Sequence, residues 1–305
     1  MNAIETEDLA RKFWRKEAVR GIDLVVPEGS IYAFLGPNGA GKSTTIRMLM
    51  NLLRPSRGMA RVLGVPSTQL RARHFEAIGY VSEEQEMPEW MTVQGLLSYL
   101  KPFYPSWDDA LCGELLERFE LPLDRKLKHL SRGMKMKVRL VSSIAFRPRL
   151  LVMDEPFSGL DPVVRDQLIE GVLELGDRDG WTVLISSHDL AEVENLCSHV
   201  GFLNHGRLHL SESLESVQER FREVEVVFEE PLDCLPTLPD GWLHPQLSGR
   251  ALRFVDPNFD EGATPERIRG AFPGLLEVTA SPMSLRTVFT ALAKDGGSGR
   301  GEEAA

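Results

Sequence analysis

The chain alternates short apolar runs with stretches in which apolar residues recur at helical spacing. The apolar runs, and stretches in which apolar and polar residues alternate, predict strands at 3–7, 19–26, 31–35, 78–81, 150–153, 182–186, 200–203, 207–210, 224–228, 251–255 and 275–280. Helical spacing predicts helices at 43–53, 162–175, 189–197, 211–222 and 283–294, and a mainly helical region from 92 to 146 that prolines interrupt. The segment 229–245 is rich in proline and acidic residues and is predicted to be a loop.

A change in the pattern near residue 211 predicts a domain boundary. Residues 211–222 are a charged helical stretch, and short strands and one amphipathic helix follow it. We therefore expect one domain over 1–210 and an accessory module over 211–295. Residues 296–305 are small or polar, so this tail is expected to be disordered.

Composition narrows the class of protein without giving a function. The 305 residues are 42% hydrophobic and 26% charged, which excludes wholesale disorder, and the net charge of -10 argues against a protein that coats nucleic acid. No apolar run approaches the roughly 20 residues of a membrane-spanning helix, and the acidic start of the chain does not read as a secretory signal. The three cysteines lie far apart, as expected in a reducing compartment.

A glycine-rich loop between a predicted strand and a predicted helix indicates nucleotide binding. Residues 36–43 match G-x-x-x-x-G-K-[ST], a pattern in which backbone N–H groups surround phosphate oxygens at the positive end of a helix. Lys42 is expected to reach the β- and γ-phosphates, and the Ser43 hydroxyl to ligate Mg²⁺. The alternative, a chance glycine-rich turn, does not explain why every fixed position is present in the right context.

Two later strands end in residues suited to hydrolysis. The strand at 150–153 leads into Asp154 and Glu155, which are expected to hold Mg²⁺ and to accept a proton from an attacking water, respectively. His188 follows the strand at 182–186 and is suited to sense the γ-phosphate. Solvated acids and a structural histidine are the alternatives, and the neighbouring phosphate loop makes both less favoured.

These motifs, with their order and spacing over roughly residues 2–210, resemble the ATP-binding subunit of an ABC transporter. Besides GPNGAGKST and LLVMDEP, the chain has SGLD at 158–161, similar to the D-loop of that family, and LSRGM at 130–134, in the position of the signature LSGGQ. The resemblance implies an α/β P-loop NTPase fold with a mostly parallel core sheet, an antiparallel β subdomain, a helical subdomain at about 84–146, and a small α+β C-terminal module. The nucleotide-contacting residues that it implies are Phe13 under adenine, Gly36, Pro37, Asn38, Gly39, Ala40, Gly41, Lys42, Ser43, Thr44, Ser131, Gly133 and Asp161.

The chain departs from the family pattern at three places. Glu83 stands where the family has a glutamine that contacts Mg²⁺, and a carboxylate can still ligate the metal. The resemblance thus gives Ser43, Glu83 and Asp154 as the metal-site residues. In the signature, Arg132 stands in place of a glycine and Met134 stands in place of the glutamine. The residue expected to stack on adenine is Phe13, where the family has a tyrosine. We expect these changes to affect the rate of ATP hydrolysis and its coupling to transport more than nucleotide binding.

The function implied is ATP hydrolysis coupled to transport, with Glu155 and His188 as the catalytic pair and ATP with Mg²⁺ as cofactors. One phosphate loop and one signature per chain imply a dimer of cassettes, expected to be a homodimer. The resemblance also implies a separate multi-spanning membrane permease, no nucleic-acid partner and a cytoplasmic protein peripheral to the inner face of the cell membrane. The segment 281–289 resembles an extension of exporter-type ATPases and favours export. The alternatives are a soluble ABC-type ATPase of DNA repair or ribosomes and an unrelated P-loop kinase.

Overall fold

The computed structural model describes residues 1–239, 241–272 and 274–298, with the backbone alone for 175–179 and 295–298. The chain divides into two units, Met1–Ser211 and Glu212–Ala305. The strands are β1 Asn2–Phe13, β2 Lys16–Ile22, β3 Val25–Pro27, β4 Ile31–Leu35, β5 Arg57–Val62, β6 Val65–Pro66, β7 Ile78–Ser82, β8 Leu150–Asp154, β9 Thr182–Ser187, β10 His199–Asn204, β11 Arg207–Ser213, β12 Arg222–Phe228, β13 Leu243–Ser248, β14 Ala251–Asp256 and β15 Leu275–Pro282. The α-helices are α1 Lys42–Leu49, α2 Ala72–Phe75, α3 Val93–Leu100, α4 Asp109–Arg118, α5 Arg132–Ile144, α6 Pro162–Asp179, α7 Leu214–Arg220, α8 Thr264–Ala271 and α9 Leu285–Ser298.

The core of the first unit is a sheet with the strand order β11-β10-β4-β9-β8-β7. The pairs from β10 to β7 are parallel, so the carboxyl ends of β4, β7, β8 and β9 meet at one edge. Both β8 and β9 are buried along their whole length, which explains why Leu150–Met153 and Val183–Ile185 are continuous apolar runs instead of alternating ones. Ligands bind at this edge in open α/β sheets.

A second sheet, in which β1 is antiparallel to β2, β3 and β5, covers one side of the core. Ile4, Val19 and Val62 of this sheet are buried in one apolar cluster with Phe34 of β4 and Ile46 of α1. Burying these side chains fixes the hairpin β1–β2 beside the loop that follows β4.

Helices α3, α4 and α5 form the helical region between β7 and β8. Each begins at a side chain that accepts a hydrogen bond from the first turn: Thr92 for α3, Asp108 for α4 and Ser131 for α5. The prediction of interrupted helix over 92–146 therefore matches the structure.

The second unit contains an antiparallel sheet with the order β13-β14-β12-β15. Val224, Val226 and Phe254 on one face of this sheet pack with Ile268 and Phe272, which come from α8 and the residue that ends it. This unit thus has its own hydrophobic core.

Several predicted boundaries differ from the structure. The helix expected at 189–197 is a single 3₁₀ turn at Leu190–Glu192, where the Asp189 side chain accepts a hydrogen bond from Ala191 and offers the backbone an alternative to a longer helix. The segment 229–245, expected to be a loop, includes the start of β13. Helix α9 extends to Ser298, so the first three positions of the tail expected to be disordered are helical; 299–305 lie outside the described residues.

Candidate functional site

The loop between β4 and α1 has glycines where the neighbouring backbone leaves no room for a side chain. A Cβ at Gly36 would lie 2.1 Å from the carbonyl oxygen of Leu203, and one at Gly41 would lie 2.5 Å from that of Ala18. Gly41 also has a φ of 114°, a left-handed conformation that favours glycine, and it immediately precedes α1. The fold therefore requires these glycines, and the N-terminus of α1 opens onto the loop.

The remaining loop residues lie at the surface or along α1. Pro37, Asn38 and Gly39 are exposed, whereas Ala40 is buried and donates its N–H to the Pro37 carbonyl at 3.1 Å. Thr44 is half-buried in the first turn of α1. This exposed arc of backbone beside the start of a helix is the geometry that binds phosphate in P-loop proteins.

Lys42 is buried at the centre of the site. Its ammonium donates to the carbonyl oxygen of Gly36 at 2.6 Å and forms an ion pair with Oε1 of Glu155 at 3.0 Å. These contacts hold the ammonium between the loop and the end of β8.

Ser43, Asp154 and Ser186 form a hydrogen-bonded group at the carboxyl edge of the sheet. The hydroxyls of Ser43 and Ser186 donate to Oδ1 of Asp154 at 3.0 Å and 2.7 Å. The pairing of β8 with β9 places Asp154 directly opposite Ser186. Burial raises the pKa of Asp154 above its usual value, and the two hydroxyls oppose that rise.

Glu155 and His188 lie next to this group. Oε2 of Glu155 is 2.8 Å from Nδ1 of His188, and the backbone N–H of Glu155 donates to the Ser186 hydroxyl at 3.0 Å. Burial raises the pKa of Glu155, but the hydrogen bonds and charges of His188 and Lys42 outweigh it, so the pKa is lower than usual. Glu155 is therefore a carboxylate at neutral pH and can accept a proton.

Sequence reasoning missed Ser186, which joins the two acidic residues. Its hydroxyl donates to Asp154 and accepts from Glu155, and its side chain is fully buried. The serine pair before His188 was visible, but only the adjacency of β8 and β9 gives Ser186 its role.

Four other predicted residues lie outside this hydrogen-bonded group. Ser131 caps α5 by accepting from the N–H of Met134, and Asp161 caps α6 by accepting from that of Val164. A Cβ at Gly133 would lie 3.0 Å from Val164, so this glycine lets α5 approach α6. Phe13 ends β1 and is partly exposed, with the guanidinium of Arg11 4.6 Å from the centre of its ring.

Glu83 follows β7 directly, one residue after Ser82, which is paired with Asp154. Its carboxylate, however, binds the guanidinium of Arg132 at 2.6 Å. The side chain predicted to reach the metal is therefore turned toward α5 in this structure.

The fold and the site together define a P-loop ATPase. A family model described as ABC transporter matches residues 19–158. The chain is 40% identical over 211 residues to the daunorubicin/doxorubicin resistance ATP-binding protein DrrA of Streptomyces peucetius, which covers 68% of this chain and 64% of that protein. It is 32% identical over 300 residues to the Nod factor export ATP-binding protein I of Rhizobium sp. (strain N33), covering 95% and 96% of the two chains.

Among solved structures, an ATP-binding subunit of an ABC transporter superposes with a TM-score of 0.64 at 30% identity, covering 71% of this chain and 92% of that one. The chain belongs to the ATP-binding proteins of ABC transporters. It binds and hydrolyses ATP, and its family works with a membrane permease and as paired cassettes. The resemblance found in the sequence and the P-loop ABC fold expected from it are thus confirmed.

Proposed function

We propose that the edge of the parallel sheet binds Mg²⁺-ATP through the residues expected from the sequence. The observation that carries this proposal is the contact of Lys42 with Glu155 beside the Ser43–Asp154 hydrogen bond. A hydroxyl and a carboxylate are hard oxygen donors, which fit Mg²⁺ better than softer metals. In the described part of the chain, no cluster of three or more His, Cys, Asp or Glu side chains suited to a metal occurs.

In this proposal Glu155 accepts the proton of the water that attacks the γ-phosphate. Its lowered pKa keeps the carboxylate ready, and the contact with His188 fixes its orientation. Lys42 balances negative charge on the phosphates, and Mg²⁺, when bound, contributes positive charge at the same edge. Asp154 remains held by Ser43 and Ser186 and does not take part in proton transfer.

Ser131, Gly133 and Asp161 are proposed to meet nucleotide across an interface between two identical cassettes. Ser131 and Arg132 lie at the exposed N-terminus of α5, where an anion is favoured. A symmetric homodimer brings two such helices to two phosphate loops. Phe13, at the end of the hairpin beside the loop, stacks on adenine in the same proposal.

The direction of transport is proposed to be export through a separate multi-spanning permease. Two relatives are named for drug resistance and for Nod factor export. In the part of the chain that the structure describes, no helix is long and apolar enough to cross a membrane. We propose that the chain lies at the cytoplasmic face of the cell membrane and acts without nucleic acid.

The permease contact is proposed at residues 83–91, the loop between β7 and α3. Together with Leu127, Lys135 and Arg139, part of this loop lines a cleft of about 380 Å³. Trp90 in the loop is 70% exposed, and an exposed tryptophan is a frequent anchor of protein interfaces.

Co-purification of the tagged chain from detergent-solubilised membranes tests the transport assignment. We expect one multi-spanning membrane protein in stoichiometric amount, and ATPase activity that rises when the two proteins are reconstituted in vesicles. Recovery with ribosomes or DNA, and without a membrane protein, would contradict the proposal.

A further inference from the structure

Two side chains that depart from the family pattern form an ion pair with each other. Nη2 of Arg132 lies 2.6 Å from Oε2 of Glu83, and the two side chains are 48% and 41% exposed. Glu83 begins the loop between β7 and α3, whereas Arg132 is the first residue of α5. The pair therefore joins the metal-proximal loop to the signature helix.

The ion pair keeps the Glu83 carboxylate away from the edge where Asp154 lies. Ser82 is paired with Asp154, so the backbone brings Glu83 close to that edge. The oxygen Oδ1 of Asp154 nevertheless accepts from the two serine hydroxyls, while Glu83 binds Arg132. In this structure the Glu83 carboxylate is thus engaged by Arg132 and not by the residues at that edge.

Arg132 lies at the N-terminus of α5, where a positive side chain is stable only with an anion beside it. The N-terminus of a helix carries partial positive charge, so a guanidinium in the first turn is disfavoured unless an anion lies beside it. Its Nη1 also lies 2.2 Å from the position that a Cβ on Gly159 would take, so the guanidinium packs directly on the loop between β8 and α6. Glu83 supplies the anion in this structure through one contact, and a phosphate carries more negative charge and can accept from an arginine guanidinium through two oxygens.

We propose that the Glu83–Arg132 ion pair is a latch that a nucleotide phosphate opens by exchange. The phosphate of ATP on the second cassette replaces the carboxylate on Arg132, and the freed Glu83 turns toward the metal of its own site. The latch links engagement of α5 to movement of the loop 83–91. It rests on the proposed function, in which Ser131 and Gly133 face the nucleotide of a second copy.

The latch predicts opposite effects for its two members. Glu83→Gln breaks the ion pair, retains an oxygen ligand and leaves Arg132 free for phosphate, so ATP-dependent association becomes tighter. An exposed ion pair corresponds to about two- to fivefold in an equilibrium constant, and a dimer contains two pairs, so the gain is about 4- to 25-fold. Arg132→Gln also loses the contact with phosphate, so association weakens by about tenfold or more.

The experiment measures dimer formation of the full chain by sedimentation as Mg²⁺-ATP is titrated, with Glu155→Gln in every variant to arrest hydrolysis. In the Arg132→Gln background, Glu83→Gln is expected to change association by less than about twofold, because the pair is already absent. Arg132→Lys is expected to recover part of the loss, since the positive charge remains.

Two neighbouring ion pairs provide matched controls. Lys135 and Glu89 join the same helix to the same loop at 3.3 Å, and Glu84, next to Glu83, pairs with Arg47 of α1. Glu89→Gln, Lys135→Gln and Glu84→Gln remove comparable charges without touching Arg132, and each is expected to change association by less than about twofold.

Opposite shifts for Glu83→Gln and Arg132→Gln, with unchanged controls, support the latch. Shifts in the same direction, or an equal gain from Glu84→Gln, would overturn it while leaving the proposed ATP site in place. If the parent shows no ATP-dependent association, the proposed homodimer is wrong and the latch that depends on it is wrong too, whereas the ATP site within one chain is tested separately by ATP binding.

Discussion

Ser186→Ala removes the hydroxyl that connects the two acidic residues of the site. This hydroxyl donates to Asp154 at 2.7 Å and accepts the N–H of Glu155 at 3.0 Å. Glu155 has a φ of 50°, a left-handed conformation that is unfavourable for a side chain with a Cβ, and its N–H hydrogen bond helps to hold it there. The substitution therefore affects both carboxylates through one buried atom.

The expected loss of stability follows from these two hydrogen bonds. A hydrogen bond to a charged group contributes about 1.5–3 kcal/mol, and the partly buried hydrogen bond from the N–H of Glu155 contributes about 0.5–1.5 kcal/mol, so we expect a total of about 2–4.5 kcal/mol. For a unit of this size, 1 kcal/mol corresponds to about 2–4 °C in Tm, which gives a decrease of about 4–18 °C. ATP turnover is expected to fall as well, because Glu155 loses its backbone anchor.

The destabilisation by Ser186→Ala is also expected to depend on pH. Burial holds the pKa of Asp154 above its usual value of 3.8, so between the two values the folded state binds more protons than the unfolded state and stability falls as pH rises. Without Ser186 this pKa rises further. The loss of stability is therefore expected to be larger at a pH well above this raised pKa than near pH 3.8, when Mg²⁺ is absent.

Thermal unfolding followed by circular dichroism at several pH values measures this effect, with Ser187→Ala as the control. Ser187 is equally buried but bonds to Glu192 instead of the two site acids. The control is expected to lower Tm with a similar pH dependence, because burial raises the pKa of Glu192 and the Ser187 hydroxyl opposes that rise, but ATP turnover is expected to be largely retained. Equal losses of ATP turnover in the two variants would refute the role given to Ser186.

Two further predictions concern the surface loop and the second unit. Trp90→Ala is expected to weaken permease association, with ATP binding unchanged and Tm within about 2 °C of wild type, because this side chain is 70% exposed. A pull-down measures permease association and thermal unfolding measures Tm; a large loss of Tm would instead place Trp90 in the core. A fragment of residues 1–215 is expected to bind ATP as the full chain does, since the described site contacts lie within the unit Met1–Ser211; a folded fragment without ATP binding would contradict this.

The elements that form the phosphate-binding and hydrolytic site could be predicted because each lies within one short stretch of sequence. The strand, glycine-rich loop and helix around Lys42 occupy successive residues, and the apolar run before Asp154 marks a buried strand. Ser186 and the contact of Glu83 with Arg132 could not be predicted in the same way. They depend on which strands are neighbours and on which helix packs beside a loop, 49 residues apart in the case of the ion pair.

The limits of strands were less predictable where pairing with a neighbouring strand, and not the local apolar pattern, determines where the strand begins and ends. β5 was not predicted, because Arg57, Gly58 and Met59 at its start are exposed and only Ala60 and Val62 are buried. β1 is longer than expected because it pairs with β2 beyond the apolar stretch at its start. In both cases pairing with neighbouring strands determines the structure more than local apolar pattern does.

The most direct measurement of the central claim is ATP turnover and association of the Glu155→Gln variant. The amide keeps the shape of the side chain but cannot accept the proton of the attacking water. We expect steady-state hydrolysis to fall by about 10²–10⁴-fold while ATP still binds and a dimer accumulates with Mg²⁺-ATP. Turnover within about twofold of wild type, with no ATP-dependent dimer, would contradict the account of this site.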